Sequence, residues 1–347
     1  NILYSVAQLV VEQAGGQSFE SFLRTRIFAP LGMDAVRHNS DALRPGDNVA
    51  TGYALADFKD LQPAPRLSWH NASGAGGLYA SAYDMAKWMR LQLAGGAYRD
   101  AAGREQRMFE EKTQQQMWSV ITPITVPQPP VPELLAAKPN YIGYGQGWTL
   151  SDYRGNKLVW HTGGWPGMVS RLTLLPERKL GVVVLTNAEL GGAFNAITLR
   201  VLDAYLDAPK TDWNAAYGAA LAKSRKNADD SWAKHEAARA KRSQPSLPLT
   251  DYAGAWRDIW YGDVSIARQG DLLRMRFSRT NSLVGTLTHW QHDTFIVRWD
   301  ERWLNADAFV TFSLDAEGKP REARMKAVSP NTDFSFDFQD LVLKPVR

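Results

Sequence analysis

Cysteine is absent from all 347 residues, which removes disulfides, thiol nucleophiles and thiolate metal sites together and leaves the redox compartment open. Long hydrophobic runs are missing too. No apolar stretch approaches the ~18 residues of a membrane span, and no charged start followed by an apolar signal core is visible. The chain begins on Asn1 rather than Met, so it is expected to be a processed product, a cropped piece or a fragment of something longer. Charge of one sign is nowhere concentrated: 40 Lys and Arg are interspersed with 36 Asp and Glu, a net charge of +4, which disfavours a nucleic-acid role.

Familiar catalytic signatures are also lacking. No Gly-x-Ser-x-Gly elbow presents a serine on a strand-to-helix turn, which argues against an α/β-hydrolase. No His-Glu-x-x-His occurs and the six histidines are scattered, so no metal site is expected; no Gly-rich phosphate loop ends in Lys-Ser or Lys-Thr, and no cofactor is expected. One Ser-x-x-Lys exists, Ser231-Trp232-Ala233-Lys234, but it lies among Asp229, Asp230 and Glu236, where the amine is solvated, protonated and useless as a base.

What is present is ordinary globular composition, 44% hydrophobic and 22% charged. Val6, Leu9 and Val10 fall at helical spacing before a Gly15-Gly16 stop, and Phe19, Phe22, Leu23 and Ile27 line a second helix that Pro30 is expected to end. Residues 34–77 read as a long irregular excursion. Ser81-x-x-Asp84 opens a helix that closes on Gly95-Gly96. The six prolines between 119 and 140 predict a surface loop or flap. Strands follow at 147–151, 157–161, 168–175 and 181–186, then a helix whose Phe194, Ile197, Thr198, Val201, Leu202 and Tyr205 face that sheet. From Thr211 to about Arg242 the chain reads as a solvated helical connector, and Tyr252 to Arg347 as short strands of a small antiparallel barrel or sandwich, with turns at Gln269-Gly270-Asp271 and Ala316-Glu317-Gly318. Trp256, Trp260, Trp290, Trp299 and Trp303 are expected to fill that barrel rather than to stack on a ligand. His289 and His292 in HWQHD do not make a metal site on their spacing alone.

His161-Thr162-Gly163-Gly164 stands out. A glycine pair weakens a strand, so it marks a place where a ligand or another chain lies close to the backbone, here a substrate cleft.

Four strings in order, NILYSVAQLVVEQAGGQSFESFLRTRIFAPLGM, GGLYASAYDMAKWM, YGQGW and HTGGWPGMVSRLTLLPERKLGVVVLTN, resemble the serine β-lactamase and penicillin-binding-protein superfamily over roughly residues 1 to 206. The branch is that of class C β-lactamases, D-alanyl-D-alanine carboxypeptidases and family VIII esterases. From YAGAW to TDFSFDF the chain resembles the lipocalin-like β-domain appended to many such hydrolases. The resemblance implies an α+β fold: a β-lactamase/transpeptidase-like domain, an antiparallel sheet packed with helices and lacking its N-terminal part, at 1–208; a charged helical linker at 209–248; and a small antiparallel β-barrel at 249–347.

That family's site combines Ser-x-x-Lys, Tyr-x-Asn and Lys-Thr-Gly or His-Thr-Gly. His161-Thr162-Gly163 matches the third and Asn1 the last residue of the second, so the nucleophile and its lysine are expected upstream of this chain, which should be inactive alone. By the resemblance, Gly164 gives its N–H to the oxyanion, His161 holds or orients the substrate, Asn1 donates its amide to the substrate's acyl side, and Thr162 and Gly163 bind substrate. Losing one oxyanion donor costs ~10²–10³ in rate. Each residue has a plainer reading. Gly163 and Gly164 merely start the turn before Pro166, His161 is a satisfied strand histidine, Thr162 packs away from the cleft, and Asn1 is a helix N-cap. The YGQGW segment is expected to pack beneath the cleft with no catalytic part.

The implied activity is acyl-enzyme hydrolysis of an amide, β-lactam or ester in a small-molecule or peptide substrate, in the periplasm or outside the cell. The alternatives are a non-catalytic protein holding a peptidoglycan-like ligand on the same scaffold, and a truncated product without activity. Expected partners are the substrate and the missing N-terminal segment, whose loss would leave a bare strand edge and apolar surface; the oligomeric state stays open.

Overall fold

Residues 122–186 pair into one antiparallel sheet in the computed structural model, which describes residues 1–346. Its six strands are β1 (Thr122–Ile124), β2 (Ile142–Tyr144), β3 (Thr149–Tyr153), β4 (Asn156–Trp165), β5 (Met168–Leu175) and β6 (Leu180–Thr186), adjacent in sequence order with β1 and β6 outermost. Period-2 alternation sorts their side chains. Leu150, Val159, Leu172 and Leu174 pack with Trp118, Trp148 and Met89 of helix α2 (Ala82–Leu93) on one face. Leu158, Leu175, Val182 and Val184 pack on the other with Phe194, Leu199 and Leu202 of α3 (Gly191–Tyr205) and with Trp213 and Ala216 of α4 (Trp213–Ala238). Burying each large apolar side chain stabilises by ~1.5–3 kcal/mol, so the sheet between its helix layers is the anchor for everything mounted on β4.

The expected helices form. Helix α1 (Ile2–Gly15) ends on Gly16 in the left-handed region at φ 61°. Ser81 caps α2, its hydroxyl accepting from the Asp84 N–H at 3.0 Å. Pro30 does not end the second helix, which runs through residues 19–31 and stops at Gly32. A π turn at Arg24–Phe28 precedes the proline, and this wider turn lets the ring sit in the last turn without facing a carbonyl that needs its missing N–H. Residues 119–140 are largely the exposed, irregular segment expected, with two local exceptions. Pro123 lies in β1, an edge strand where one side needs no donor, and Val131 and Leu134 are buried in the core. The connector is less solvated than its composition suggests, since Trp213 and Ala216 are buried. The outer strand β6 has a partner on one side only, and α1 buries none of its residues, exposing Ile2, Leu3, Leu9 and Val10.

By their internal contacts the residues divide into two compact units, Asn1–Ala54 with Pro63–Leu221, and Leu55–Gln62 with the chain from Ala222 onward. The second holds a barrel of eight strands: β7 (Gly254–Asp258), β8 (Gly262–Gln269), β9 (Leu272–Phe277), β10 (Val284–Gln291), β11 (Thr294–Trp299), β12 (Ala308–Leu314), β13 (Pro320–Ala327) and β14 (Lys344–Pro345). Ala323 of β13 and Leu343, beside β14, exchange backbone hydrogen bonds of 2.8 and 3.0 Å and draw the two ends of the sheet together. Inside lie Tyr252, Trp256, Phe277, Phe295, Trp299 and Phe338, with Trp303 packed against them. Trp290 packs separately with Ile296, Phe309 and Trp232. Trp260 departs from the expectation: it is 68% exposed at the tip joining β7 and β8, because Asp258 takes the N–H groups of Trp260 and Tyr261 and turns the chain outward. Part of the irregular excursion belongs to this unit as a hairpin, whose Leu55 carbonyl and Phe58 N–H both bond the Asn305 side chain.

Candidate active site

β4 is longer than the sequence suggests, and its last five residues differ from the rest. β3 reaches only as far as Thr149, opposite Trp160, while β5 continues to Met168, opposite Trp165. His161–Trp165 therefore has one paired edge and one edge that no strand among the described residues covers. Gly163 and Gly164 lie inside the strand rather than starting the turn, which is Pro166–Gly167 with Gly167 at φ 79°.

That turn decides which amides face the open edge. A hydrogen-bonded two-residue turn makes Trp165 and Met168 a bonded pair. Bonded and non-bonded pairs then alternate, so Gly163 with Ser170 is bonded and Gly164 with Val169 is not. The N–H and C=O of Gly164, like those of Thr162, thus point away from β5 toward the uncovered side. The two glycines also differ in what they leave room for. A Cβ on Gly163 would stand 2.6 Å from the Ser170 hydroxyl, whereas one on Gly164 would meet nothing within 4 Å.

His161 is exposed and doubly held. Its Nδ1 lies 2.7 Å from the Thr162 carbonyl oxygen, the group that alternation turns to the same edge, and its Nε2 lies 3.1 Å from the Tyr144 hydroxyl. Tyr144 in turn is 3.0 Å from the hydroxyl of Tyr4, on the first turn of α1 and three residues after Asn1. Burial, reinforced by the bond to Tyr4, pushes the Tyr144 phenol well above its ordinary value, so it stays protonated. Tyr144 and Tyr4 carry no sequence signal for this role. Trp148 of the same YGQGW segment is buried, edge to face with Trp118.

Asn1 precedes α1 as its N-cap residue, but its side chain makes no capping bond and is exposed. Thr162 is half-buried; alternation sends its side chain to the face opposite His161, beside Arg171. A loop closes one end of this region: the Gly74 N–H donates to Gln8 of α1 at 2.8 Å, and Trp69 meets Trp165 edge to face at 4.6 Å. Lys234 of the lone Ser-x-x-Lys is exposed on α4. Among the described residues no three His, Asp or Glu side chains converge as a metal would require, and no helix is long and apolar enough to cross a membrane.

Comparison with known proteins covers both parts of the chain. The family model described as Beta-lactamase matches residues 1–206, and a domain of unknown function, DUF3471, matches residues 238–345. Unguisins hydrolase ungD' of Aspergillus campestris is 26% identical over 333 residues, 92% of this chain and 59% of that protein. Penicillin-binding protein 4 of Amycolatopsis lactamdurans is 25% identical over 57% of this chain and 49% of its own length. Among solved structures, the octameric penicillin-binding protein homologue from Pyrococcus abyssi aligns over 97% of this chain and 62% of its own, at 18% identity and a TM-score of 0.48. The chain spans about three fifths, 59%, of the length of the unguisins hydrolase it matches. With its family model covering residues 1–206, an antiparallel sheet between helix layers, and a barrel after it, the chain belongs to the Beta-lactamase family.

Proposed function

We propose that this chain contributes the substrate-holding half of a serine hydrolase site that works through an acyl-enzyme, with the serine and its lysine supplied by a segment outside these 347 residues. The observation that carries the reading is the one-sided end of β4. An amide N–H that no strand pairs, on a glycine with open space beside it, is the donor a developing oxyanion needs. His161 lies three residues earlier on the same strand, and the Tyr4–Tyr144–His161 chain ties the first turn of α1 to it. In this reading Gly164 stabilises the oxyanion, His161 orients the substrate, Asn1 donates its amide to the acyl side, and Thr162 and Gly163 line the strand under the substrate. The relatives' names, a hydrolase and a penicillin-binding protein, support hydrolytic chemistry. A periplasmic or extracellular setting belongs to the same reading.

The test is acylation of the complete protein by a fluorescent penicillin or fluorophosphonate. Labelling that disappears when the upstream serine is changed to alanine, and falls strongly in His161→Ala with folding intact, supports the assignment. Unchanged labelling in His161→Ala removes His161 from the site.

A further inference from the structure

Three large apolar side chains stand out from one end of the barrel: Ile259 is fully exposed, Phe334 is 86% exposed and Trp260 68%. Burying any of them would have been favourable, so their outward position needs a cause. For the first two the cause is Asp258. Its buried carboxylate accepts from the N–H groups of Trp260 at 2.7 Å and Tyr261 at 2.9 Å, and from Val342 of the returning chain at 2.9 Å, and Gly262 at φ 77° completes the turn. Tyr261 packs inward against the barrel core, which leaves Ile259 and Trp260 outside. For Phe334 the cause is the short turn Phe334–Phe336, capped by Asp333, in which Phe336 packs on the core beside Phe338 and Phe334 is left facing out. The Tyr261 hydroxyl donates to Asp337 at 3.3 Å and ties the two loops together. The result is a braced, convex tip rather than a groove.

The surroundings of the tip narrow its partner. Arg257 and Asp263 pair across the foot of the hairpin at 2.5 Å, the Arg279 side chain lies against Gly262, and Asp333 and Asp337 stand beside Phe334. With both signs of charge present, the tip favours neither a polyanion nor a basic protein. A protein partner would need a pocket matched to three side chains on two separate loops. A bilayer interface accepts protruding apolar side chains without shape complementarity, an indole above all, whose ring lies among the acyl chains while its N–H stays in the headgroup layer. We propose that Ile259, Trp260 and Phe334 form a membrane-contacting surface, by which the barrel rests on a phospholipid bilayer with these three side chains in the headgroup–acyl boundary. Such contact is peripheral and does not depend on the hydrolase reading. Because Arg257 and Arg279 are offset by Asp263, Asp333 and Asp337, apolar insertion rather than charge carries the attachment.

Vesicle binding of the 347-residue chain tests this directly. The chain should sediment with phosphatidylcholine vesicles, with or without phosphatidylglycerol, and stay bound in about 1 M salt, where the Debye length is ~3 Å. Lipids brominated in their acyl chains should quench the part of the emission that Trp260→Phe removes. Changing Ile259→Ser and Trp260→Ser together should weaken binding at least about tenfold, and Phe334→Ser should weaken it less, with the unfolding midpoint of the barrel unchanged because all three side chains are exposed. A chain that stays in solution with both kinds of vesicle, binds equally well after the serine substitutions, binds without quenching, or is released by salt overturns the proposal. Self-association that the same substitutions abolish, in the absence of vesicle binding, overturns it as well and assigns the tip to contact with a second copy.

Discussion

The end of β4 and the barrel treat the same element, an antiparallel strand, in opposite ways. In the barrel the ends of the sheet are drawn together and the interior is filled by aromatic side chains, Trp299 lying 6.0 Å from Phe277 and Tyr252 5.1 Å from Phe295. His161–Trp165 has one bare edge, two side chains reduced to hydrogen, and a histidine fastened from outside by residues distant in sequence. Closure there uses up the hydrogen-bonding capacity of the backbone; its interruption here leaves the outward amides of β4 without a strand partner. The barrel is stabilised by packing, whereas the end of β4 has little packing and is braced by hydrogen bonds.

The contrast is sharpest under substitution. Trp299→Ala should cost about 3–5 kcal/mol of barrel stability in denaturant unfolding, because the void among buried rings cannot fully collapse. A change below about 1 kcal/mol would mean that the barrel is loosely packed. Gly164→Pro removes an N–H that the ladder with β5 does not use, so it should leave stability nearly intact and slow acylation of the complete protein ~10²–10³-fold. Gly164→Ala, which keeps the N–H and meets no atom within 4 Å, should be much milder. Equal losses in the two variants would assign the effect to shape rather than to the amide.

Smaller effects concern loops of the barrel unit. Asp258 is buried, which by itself opposes its charge, yet the N–H groups of Val342, Tyr261 and Trp260 together hold its carboxyl below the usual carboxylate value. A depressed folded pKa adds stability that is complete above the ordinary carboxylate range and is lost as pH falls through the folded value. The barrel's unfolding midpoint should therefore drop below about pH 4, and Asp258→Ala should remove that contribution and cost about 1–3 kcal/mol by orphaning the three donors. Last, Asn305→Ala should loosen the Leu55–Gln62 hairpin by about 1 kcal/mol, seen as faster amide exchange at Phe58 with the barrel strands unaffected.

Much of this was legible in residue order, and the rest was not for identifiable reasons. The capped start of α2, the strands flanking Pro176–Arg178 and the helix behind them follow from local pattern, because each is stabilised by a single amphipathic face. The His161-Thr162-Gly163-Gly164 string marked an open stretch of strand for the same local reason. Pro30 and Pro123 both lie just inside regular structure, Pro30 one residue before the helix stops at Gly32 and Pro123 on a three-residue edge strand, because a proline costs little where its nitrogen has no partner to lose. Tyr144 and Tyr4 lie 140 residues apart and meet only through the fold, so neither position marks the contact. Trp260 was misplaced because a carboxylate two residues earlier steers the turn, which composition does not reveal.

The turn Pro166–Gly167 keeps step with the rest of the strand it closes. Two residues between Trp165 and Met168 leave Gly164 facing outward and Gly163 inward, the same phase that the Thr149–Trp160 pairing sets from the other side of β4. An insertion at this tip would have to be absorbed as a bulge or as a slip of β5, and a slip of one residue carries the facing side chains to the opposite surface as well, so this hairpin tolerates a change of length less readily than a tip whose strands hold no ligand-facing amide.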